Sequence, residues 1–268
     1  MPSVPKTAPP RPGDTYVQSF ARGLQVVRSF SAQTPEQTLS EVAEQAGLTR
    51  AGARRILLTL QTLGYVESDG KWFRLTPRIL ELGFAYLSSM PIWDLAEPVV
   101  KDLVDRVQES SSIAVLDDTD IVYVMRVPTH KIMKISLGIG SRLPAFCTSL
   151  GRVLLAQLDD EEVLRRLGES PRTALTRHTV TDTAALLKRI QQVRRQGWSV
   201  VDQELEEGLI SVAAPIHGSD GRATAAINLS GQANRTNARA VQEQLLPPLL
   251  DAAQAITQLL QRKSRTAR

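Results

Sequence analysis

The stretch Thr38–Leu75 reads TLSEVAEQAGLTRAGARRILLTLQTLGYVESDGKWFRL. Its order of caps, stripes and turns predicts two short helices and a hairpin. Thr38 followed three residues later by Glu41 is a capping box, in which each side chain satisfies an orphan backbone N–H. Leu39, Val42, Ala43 and Ala46 then recur at helical spacing, and Gly47 stands where a helix stops. Leu48 starts the turn and Thr49 is an N-cap for the second helix. Ala53, Ile56, Leu57, Leu60 and Leu63 form its inward stripe, and Gly64 ends it. Asp69-Gly70 is a type I′ signal between Tyr65–Ser68 and Lys71–Leu75.

This is the layout of a winged helix-turn-helix, which lays its second helix in a DNA major groove. That helix starts with Arg50, carries Arg54 and Arg55, and has no acid along its length. The candidate DNA contacts are Ser40, Thr49, Arg50, Arg54 and Arg55, with Lys71 and Arg74 of the wing placed to touch phosphates. Trp72 and Phe73 read as wing core.

Length and composition bound the rest. A chain of 268 residues holds one or two domains. A net charge of only +4 fits a basic DNA-binding module beside a nearly neutral second domain, not a polycation. Cys147 is the one cysteine, so no intrachain disulfide can form and a reducing compartment is expected. No Cys/His cluster has metal-ligand spacing, so neither metal nor cofactor is expected. The Pro-rich start lacks an apolar core and no run reaches the ~18 apolar residues of a membrane span. The expectation is a cytoplasmic protein without membrane contact.

The expected organisation is a disordered tail over 1–14, the winged helix-turn-helix over 15–76, a linker helix over 77–91, a second domain over 92–262 and a basic tail over 263–268. Phe20, Leu24, Val27 and Phe30 mark a first helix, with a loop over 31–37. In the linker, Thr76-Pro77 caps a helix lined by Ile79, Leu80, Leu82, Tyr86 and Leu87. In the second domain, Ile113–Leu116, Ile121–Val127 and Ile132–Leu137 read as a three-stranded meander, and Gly138–Ser149 as a loop. Short helices follow over Leu150–Leu158 and Asp160–Leu167, then a longer one from Thr181-Asp182 to Gln196-Gly197. Strands over Trp198–Asp202, Leu209–Ile216 and Thr224–Leu229 and a closing helix, Asn237–Arg262, complete it. The fold class is therefore α+β: a winged helix-turn-helix joined by a linker helix to a GAF- or PAS-like sensor domain.

These residues resemble the IclR family of bacterial transcriptional regulators over some 240 positions. The likeness is carried by Ser19–Leu24, Leu39–Ala43 and Leu60–Val66 in the first domain. In the second it is carried by Gly138–Pro144, Thr148–Ala156, Gly197–Glu204, Gly208–Ile216 and Ala225–Gly231. The opening Tyr16–Leu24 resembles the branch that regulates protocatechuate and 4-hydroxybenzoate (β-ketoadipate pathway) catabolism. The resemblance implies a ligand cup between the sheet and the glycine-rich loop. Its lining would include Ile135 and Leu143 as apolar wall, backbone N–H groups of Ser149 and Leu150, and Leu209. Ser211, Asn228 and Ser230 would be side-chain donors, with Asp202 and Glu204 near the rim. A helix start suits a carboxylate, alternate strand positions such as Asn228 and Ser230 share a face, and few convergent polar groups are what a small-molecule site needs. Where other members carry serine or cysteine in place of Asn228 or Ser211, the bound group differs. Asp202 and Glu204 have a structural alternative as acceptors for loop N–H groups. Arg142 and Arg152 flank the loop, Arg152 as a brace.

The function expected is a ligand-responsive regulator that binds double-stranded operator DNA as a dimer or tetramer, with Phe84, Tyr86 and Leu87 as a candidate dimer surface. A small aromatic acid is its expected effector. One alternative is a regulator answering a glyoxylate- or pyruvate-like acid. Another is a hydrolase on the 138–151 loop using Cys147 or Ser149, although no partner base has a signature. A third is a constitutive DNA-binding protein whose second domain only assembles it. No catalytic residue is expected.

Overall fold

The computed structural model describes Gly13 and residues 15–89, 92–129, 137–234 and 236–266. The chain divides after Tyr86 into two compact units.

In the first unit, helix α1 (Gln18–Ser29) precedes strand β1 (Glu36–Thr38), helices α2 (Leu39–Gln45) and α3 (Arg50–Thr62), and strands β2 (Val66–Ser68) and β3 (Trp72–Leu75). The capping box forms as its residues require: Thr38 N donates to Glu41 Oε2 at 2.7 Å and Glu41 N to Thr38 Oγ1 at 3.4 Å. Gly47 turns the chain with φ +63°, a left-handed conformation that favours glycine. Thr49 Oγ1 then caps α3 by accepting from Gly52 N at 3.1 Å. Val26, Val42, Ala43, Ala53, Leu57 and Val66 close the small core.

Two details differ from expectation. Glu36 and Gln37, read as loop, form β1 together with the capping residue Thr38 and pair with β3, giving a three-stranded sheet ordered β1-β3-β2. The wing turn is not type I′: Gly70 takes φ +100° but Asp69 is not left-handed. Instead Asp69 Oδ1 accepts from Lys71 N and Trp72 N at 3.0 and 2.9 Å. The aspartate side chain replaces a backbone carbonyl in the turn.

A 3₁₀ turn, Pro77–Ile79, leads into helix α4 (Leu80–Ser89). The second unit then holds α5 (Ile92–Val107), β4 (Ser110–Asp117), β5 (Asp120–Val127), β6 (Arg142–Pro144), α6 (Ser149–Leu155), α7 (Asp160–Glu169), α8 (Thr183–Gln196), β7 (Ser199–Asp202), β8 (Leu209–His217) and β9 (Ala223–Gln232). A π-turned segment, Val241–Leu245, leads into the closing helix Leu246–Thr266. Pro247 and Pro248 lack the N–H groups that an α-helical start would send back into that turn.

The six strands form one antiparallel sheet, ordered β6-β5-β4-β9-β8-β7. The expected strand Ile132–Leu137 falls largely on residues 130–136, outside the described residues. The third meander strand is β6, within the segment read as loop. It is short, ends in Pro144 and lies at the sheet edge, where a residue without an N–H is tolerated. Strand alternation sends Ile210, Val212, Ala225, Ile227 and Leu229 to one face, against α5 and the closing helix. Ala213 and Ala226 face the other side, against α6, α7 and α8. Burying apolar surface at about 25 cal/mol per Å² on both faces is what holds the sheet between its helices.

Candidate functional site

In the first unit, α3 presents Arg50, Arg54 and Arg55 to solvent while Ala53 and Leu57 are fully buried. Ser40 and Thr49 are exposed beside them. Among the described residues these three arginines have no ion-pair partner. Lys71 is exposed and sits over the Trp72 ring at 5.2 Å. Arg74 is placed differently from the sequence reading: its guanidinium lies 3.0 Å from Glu36, 3.4 Å from Glu67 and 3.8 Å from Asp69. Arg74 thus ties the three parts of the wing sheet together, and its charge is already matched.

In the second unit, a small cavity opens on the pocket-side face of the sheet. Tyr123, Cys147, Thr148, Ser149, Leu150, Val201, Leu205, Leu209, Ser211, Asn228 and Ser230 line it, and its volume is about 30 Å³. That is room for about one water molecule.

A polar network forms one wall. Asn228 Nδ2 donates to Ser211 Oγ at 3.0 Å and to Ser230 Oγ at 2.9 Å, and Asn228 Oδ1 accepts from Ser112 N at 2.9 Å. Asn228 therefore spends all its groups on holding the serines. Ser230 Oγ donates to Ser211 Oγ at 3.3 Å, and Ser211 and Ser149 hydroxyls meet at 2.7 Å. A hydroxyl has two acceptor lone pairs and one proton. Ser211 accepts from Asn228 and Ser230, so its own proton goes to Ser149. The Ser149 proton is left for a ligand. The Ser149 and Leu150 amides, in the first turn of α6, have no helical acceptor.

The α6 start is held by close approach. A Cβ on Gly151 would meet Ala145 O at 2.1 Å, so only glycine lets this helix sit against the preceding turn. Thr148 Oγ1 caps α6 by accepting from Gly151 N at 3.1 Å.

Ser149, Leu150, Leu209, Ser211, Asn228 and Ser230 are thus brought together as the sequence suggested. Leu143 packs at the edge of the core on that face but does not line the cavity, and Asp202 ends β7 exposed. Ile135 lies outside the described residues. Glu204 corrects the sequence reading: it does not face the cavity. It is buried in a bidentate pair with buried Arg152, at 2.8 and 2.7 Å. Glu204 also accepts from Arg189 at 3.0 Å and from Val180 N at 3.1 Å. Burying this carboxylate is possible because four donors replace water. Arg152 is accordingly the brace expected of it. Arg142 is held by Asp117 and Asp120 at 2.6 and 3.2 Å. Their carboxylates raise its pKa further above the usual guanidinium range, with the Asp117 hydrogen bond the largest cause.

Tyr123, Thr148, Val201 and Leu205 line the cavity without standing out in the sequence, and Cys147, the alternative nucleophile, lines it too. Burial pushes the Cys147 thiol up to about 12, opposed by Arg152 and reinforced by Glu204. Its hydrogen bond goes to Pro144 O at 3.8 Å. A protonated thiol so placed is no nucleophile. Burial also raises the Tyr123 phenol, with nearby Arg126 opposing, so Tyr123 carries a neutral hydroxyl. Among the described residues no three metal-ligating side chains cluster, and no helix is long and apolar enough to cross a membrane.

Comparison with known proteins adds the following. A model of the IclR helix-turn-helix domain matches residues 19–70, and one of the bacterial transcriptional regulator IclR C-terminal domain matches residues 84–258. The "Pca regulon regulatory protein" of Pseudomonas putida is 41% identical over 239 residues, 89% of this chain and 82% of that protein. The "p-hydroxybenzoate hydroxylase transcriptional activator" of Acinetobacter baylyi is 33% identical, covering 92% of this chain and 93% of its own. The crystal structure of an IclR homolog from Microbacterium hydrocarbonoxydans complexed with 4-hydroxybenzoate matches with a TM-score of 0.77. It is 25% identical and covers 91% of this chain and 99% of that one.

Proposed function

Because the chain belongs to the IclR family of bacterial transcriptional regulators, we propose that it controls aromatic-acid catabolism genes in response to a small aromatic acid bound between α6 and strands β8 and β9. The observation that carries this reading is the polar wall: the Ser149 hydroxyl at the start of α6, bonded to Ser211 and held by a serine–asparagine network. Such a wall suits a carboxylate, and Leu150, Val201, Leu205 and Leu209 suit a ring. The relatives whose names refer to Pca and p-hydroxybenzoate genes, and the homolog bound to 4-hydroxybenzoate, support the aromatic class.

On the DNA side, α3 enters the major groove, with Arg50, Arg54 and Arg55 reading bases and phosphates. Ser40, Thr49 and Lys71 add polar and phosphate contacts. The protein acts in the cytoplasm as a dimer or tetramer, because two recognition helices on adjacent turns multiply specificity. α4 leaves Leu80, Leu82, Phe84 and Tyr86 exposed, as a self-association surface would require.

The cavity size links binding to regulation. An aromatic ring needs a cavity on the order of 150 Å³, against about 30 Å³ here. The effector must therefore push the walls apart, and it favours the conformation in which they are apart. A two- or three-carbon acid such as glyoxylate or pyruvate would need a smaller opening of the same walls, which is the second reading.

Calorimetric titration with 4-hydroxybenzoate, protocatechuate, glyoxylate and pyruvate separates the two. Binding of an aromatic acid that Ser149→Ala weakens supports the proposal. Binding of only glyoxylate or pyruvate overturns it in favour of the second reading.

A further inference from the structure

Tyr123 is buried at 5% exposure and lines the cavity, yet its hydroxyl has no hydrogen-bond partner among the described residues. The hydroxyl oxygen is not among the fully buried atoms that lack a partner, so it keeps accessible surface, where a bound molecule can reach it.

The fold goes out of its way to aim it there. Strand β5 carries a bulge: Ile113 of β4 pairs with Met125, but the next residue, Ala114, pairs with Tyr123. Val124 is the extra residue. Without it, Tyr123 and Met125 would share a face by strict alternation. With it, Met125 packs against the α5 side of the sheet, while Tyr123 faces the α6 side. Bulges that re-aim one side chain are concentrated beside functional sites.

Tyr123 and Asn228 line the same cavity from one face of the sheet, Tyr123 level with Ala226 through Ala114. Strand order places β4 between β5 and β9, so Tyr123 and Asn228 sit on strands two steps apart, roughly 10 Å at the backbone. Apolar Leu150, Leu205 and Leu209 lie along the same cavity. A ligand that satisfies both ends needs an anionic group at one end, a flat apolar body, and a hydroxyl at the far end of that body.

Resting on the proposed aromatic-acid reading, we infer that Tyr123 is the specificity-determining residue of the site: its hydroxyl pairs with a ring hydroxyl para to the carboxylate and selects 4-hydroxylated aromatic acids over unsubstituted ones. Arrangement of the ligand follows from the donors. The carboxylate goes to the Ser149 hydroxyl, and the para hydroxyl goes to Tyr123. A site that hydrogen-bonds a substrate hydroxyl rejects the analogue without it, because the protein group is then left unpaired.

The test is calorimetric titration of the full-length protein and of Tyr123→Phe with 4-hydroxybenzoate and benzoate. The substitution removes one oxygen that has no protein partner, so the melting temperature of the free protein stays within a few degrees. The wild type is expected to bind 4-hydroxybenzoate about tenfold or more tightly than benzoate. Tyr123→Phe loses about tenfold for 4-hydroxybenzoate, the value of one hydrogen bond of this kind, and leaves benzoate unchanged. Equal losses for both acids make Tyr123 a packing residue and overturn the assignment. So does a wild type that binds both acids alike. A wild type that binds neither acid brings down the aromatic-acid reading itself, and the Tyr123 assignment with it.

Discussion

Replacing Glu204 by Gln tests whether the buried ion pair behind the pocket holds α6 in place. Glu204 is 3% exposed and Arg152 2%. Four donors reach the carboxylate: Arg152 Nη1 and Nη2, Arg189 Nη1 and Val180 N. Arg152 also donates from Nε to Phe146 O at 2.9 Å, so the pair clamps the turn before α6. Gln keeps the shape but removes the charge and turns an NH₂ toward guanidinium donors. Breaking one side of a buried pair costs ~3–5 kcal/mol, because the remaining charge is left uncompensated. The isosteric change is expected at the lower end, about 3 kcal/mol. With a urea slope of about 1–3 kcal/mol per M, the unfolding midpoint of the second unit should fall by at least ~1 M. Arg189→Ala serves as the internal control. Its side chain is 50% exposed, so it should cost less than ~1 kcal/mol. The double change Glu204→Met with Arg152→Met removes both charges and should recover much of the loss. A Glu204→Gln midpoint within ~0.3 M of wild type, at an unchanged slope, would refute the reasoning.

Further expectations follow from other contacts. Gly151→Ala places a methyl 2.1 Å from Ala145 O, so it should lower stability by roughly 1–3 kcal/mol and weaken effector binding; a thermal melt matching wild type contradicts the close-approach argument. Arg54→Ala should weaken operator binding and reduce the salt slope by about 1, whereas Arg74→Ala should chiefly destabilise the wing, given its three acidic partners. Fluorescence anisotropy at several salt concentrations distinguishes the two, and equal effects on the slope would return Arg74 to the DNA-contact set. Hydrogen bonds from Arg165 and Arg166 lower the Glu162 carboxyl from 4.5 to about 2. A carboxyl whose folded pKa is depressed stabilises the fold above its unfolded value and loses that contribution as pH falls through its folded one. The stability gap between wild type and Glu162→Gln should therefore close as pH falls from about 5 to about 2, and it should not exceed ~1 kcal/mol in this half-exposed setting. A gap that is constant with pH assigns the effect to packing.

Local signals carried the DNA-binding half. Thr38, Glu41, Gly47 and Thr49 act within a few residues of one another, so caps and turn are visible in the chain. The wing turn was misassigned because Asp69-Gly70 serves two turn types, and only the Asp69 side-chain bonds decide between them. Strand β1 escaped notice because three residues have too little periodicity to register. In the pocket, Ser149, Ser211, Asn228 and Ser230 were found through motif resemblance. Glu204 was misplaced because its partner Arg152 is 52 residues away, and nothing local shows that pairing. Tyr123 was hidden by the bulge at Val124, which breaks the alternation on which any face assignment in a strand depends.

The most direct test of the whole account is the affinity for operator DNA with and without effector. A fluorescent duplex carrying the footprinted operator would be titrated with protein in the presence and absence of saturating 4-hydroxybenzoate, for wild type and Ser149→Ala. Coupling between two sites typically changes affinity by ~5–150-fold. A change of at least fivefold in wild type is predicted, absent in Ser149→Ala, whose effector-free affinity for DNA stays normal. An operator affinity identical with and without an acid that calorimetry shows to bind would contradict effector-controlled DNA binding.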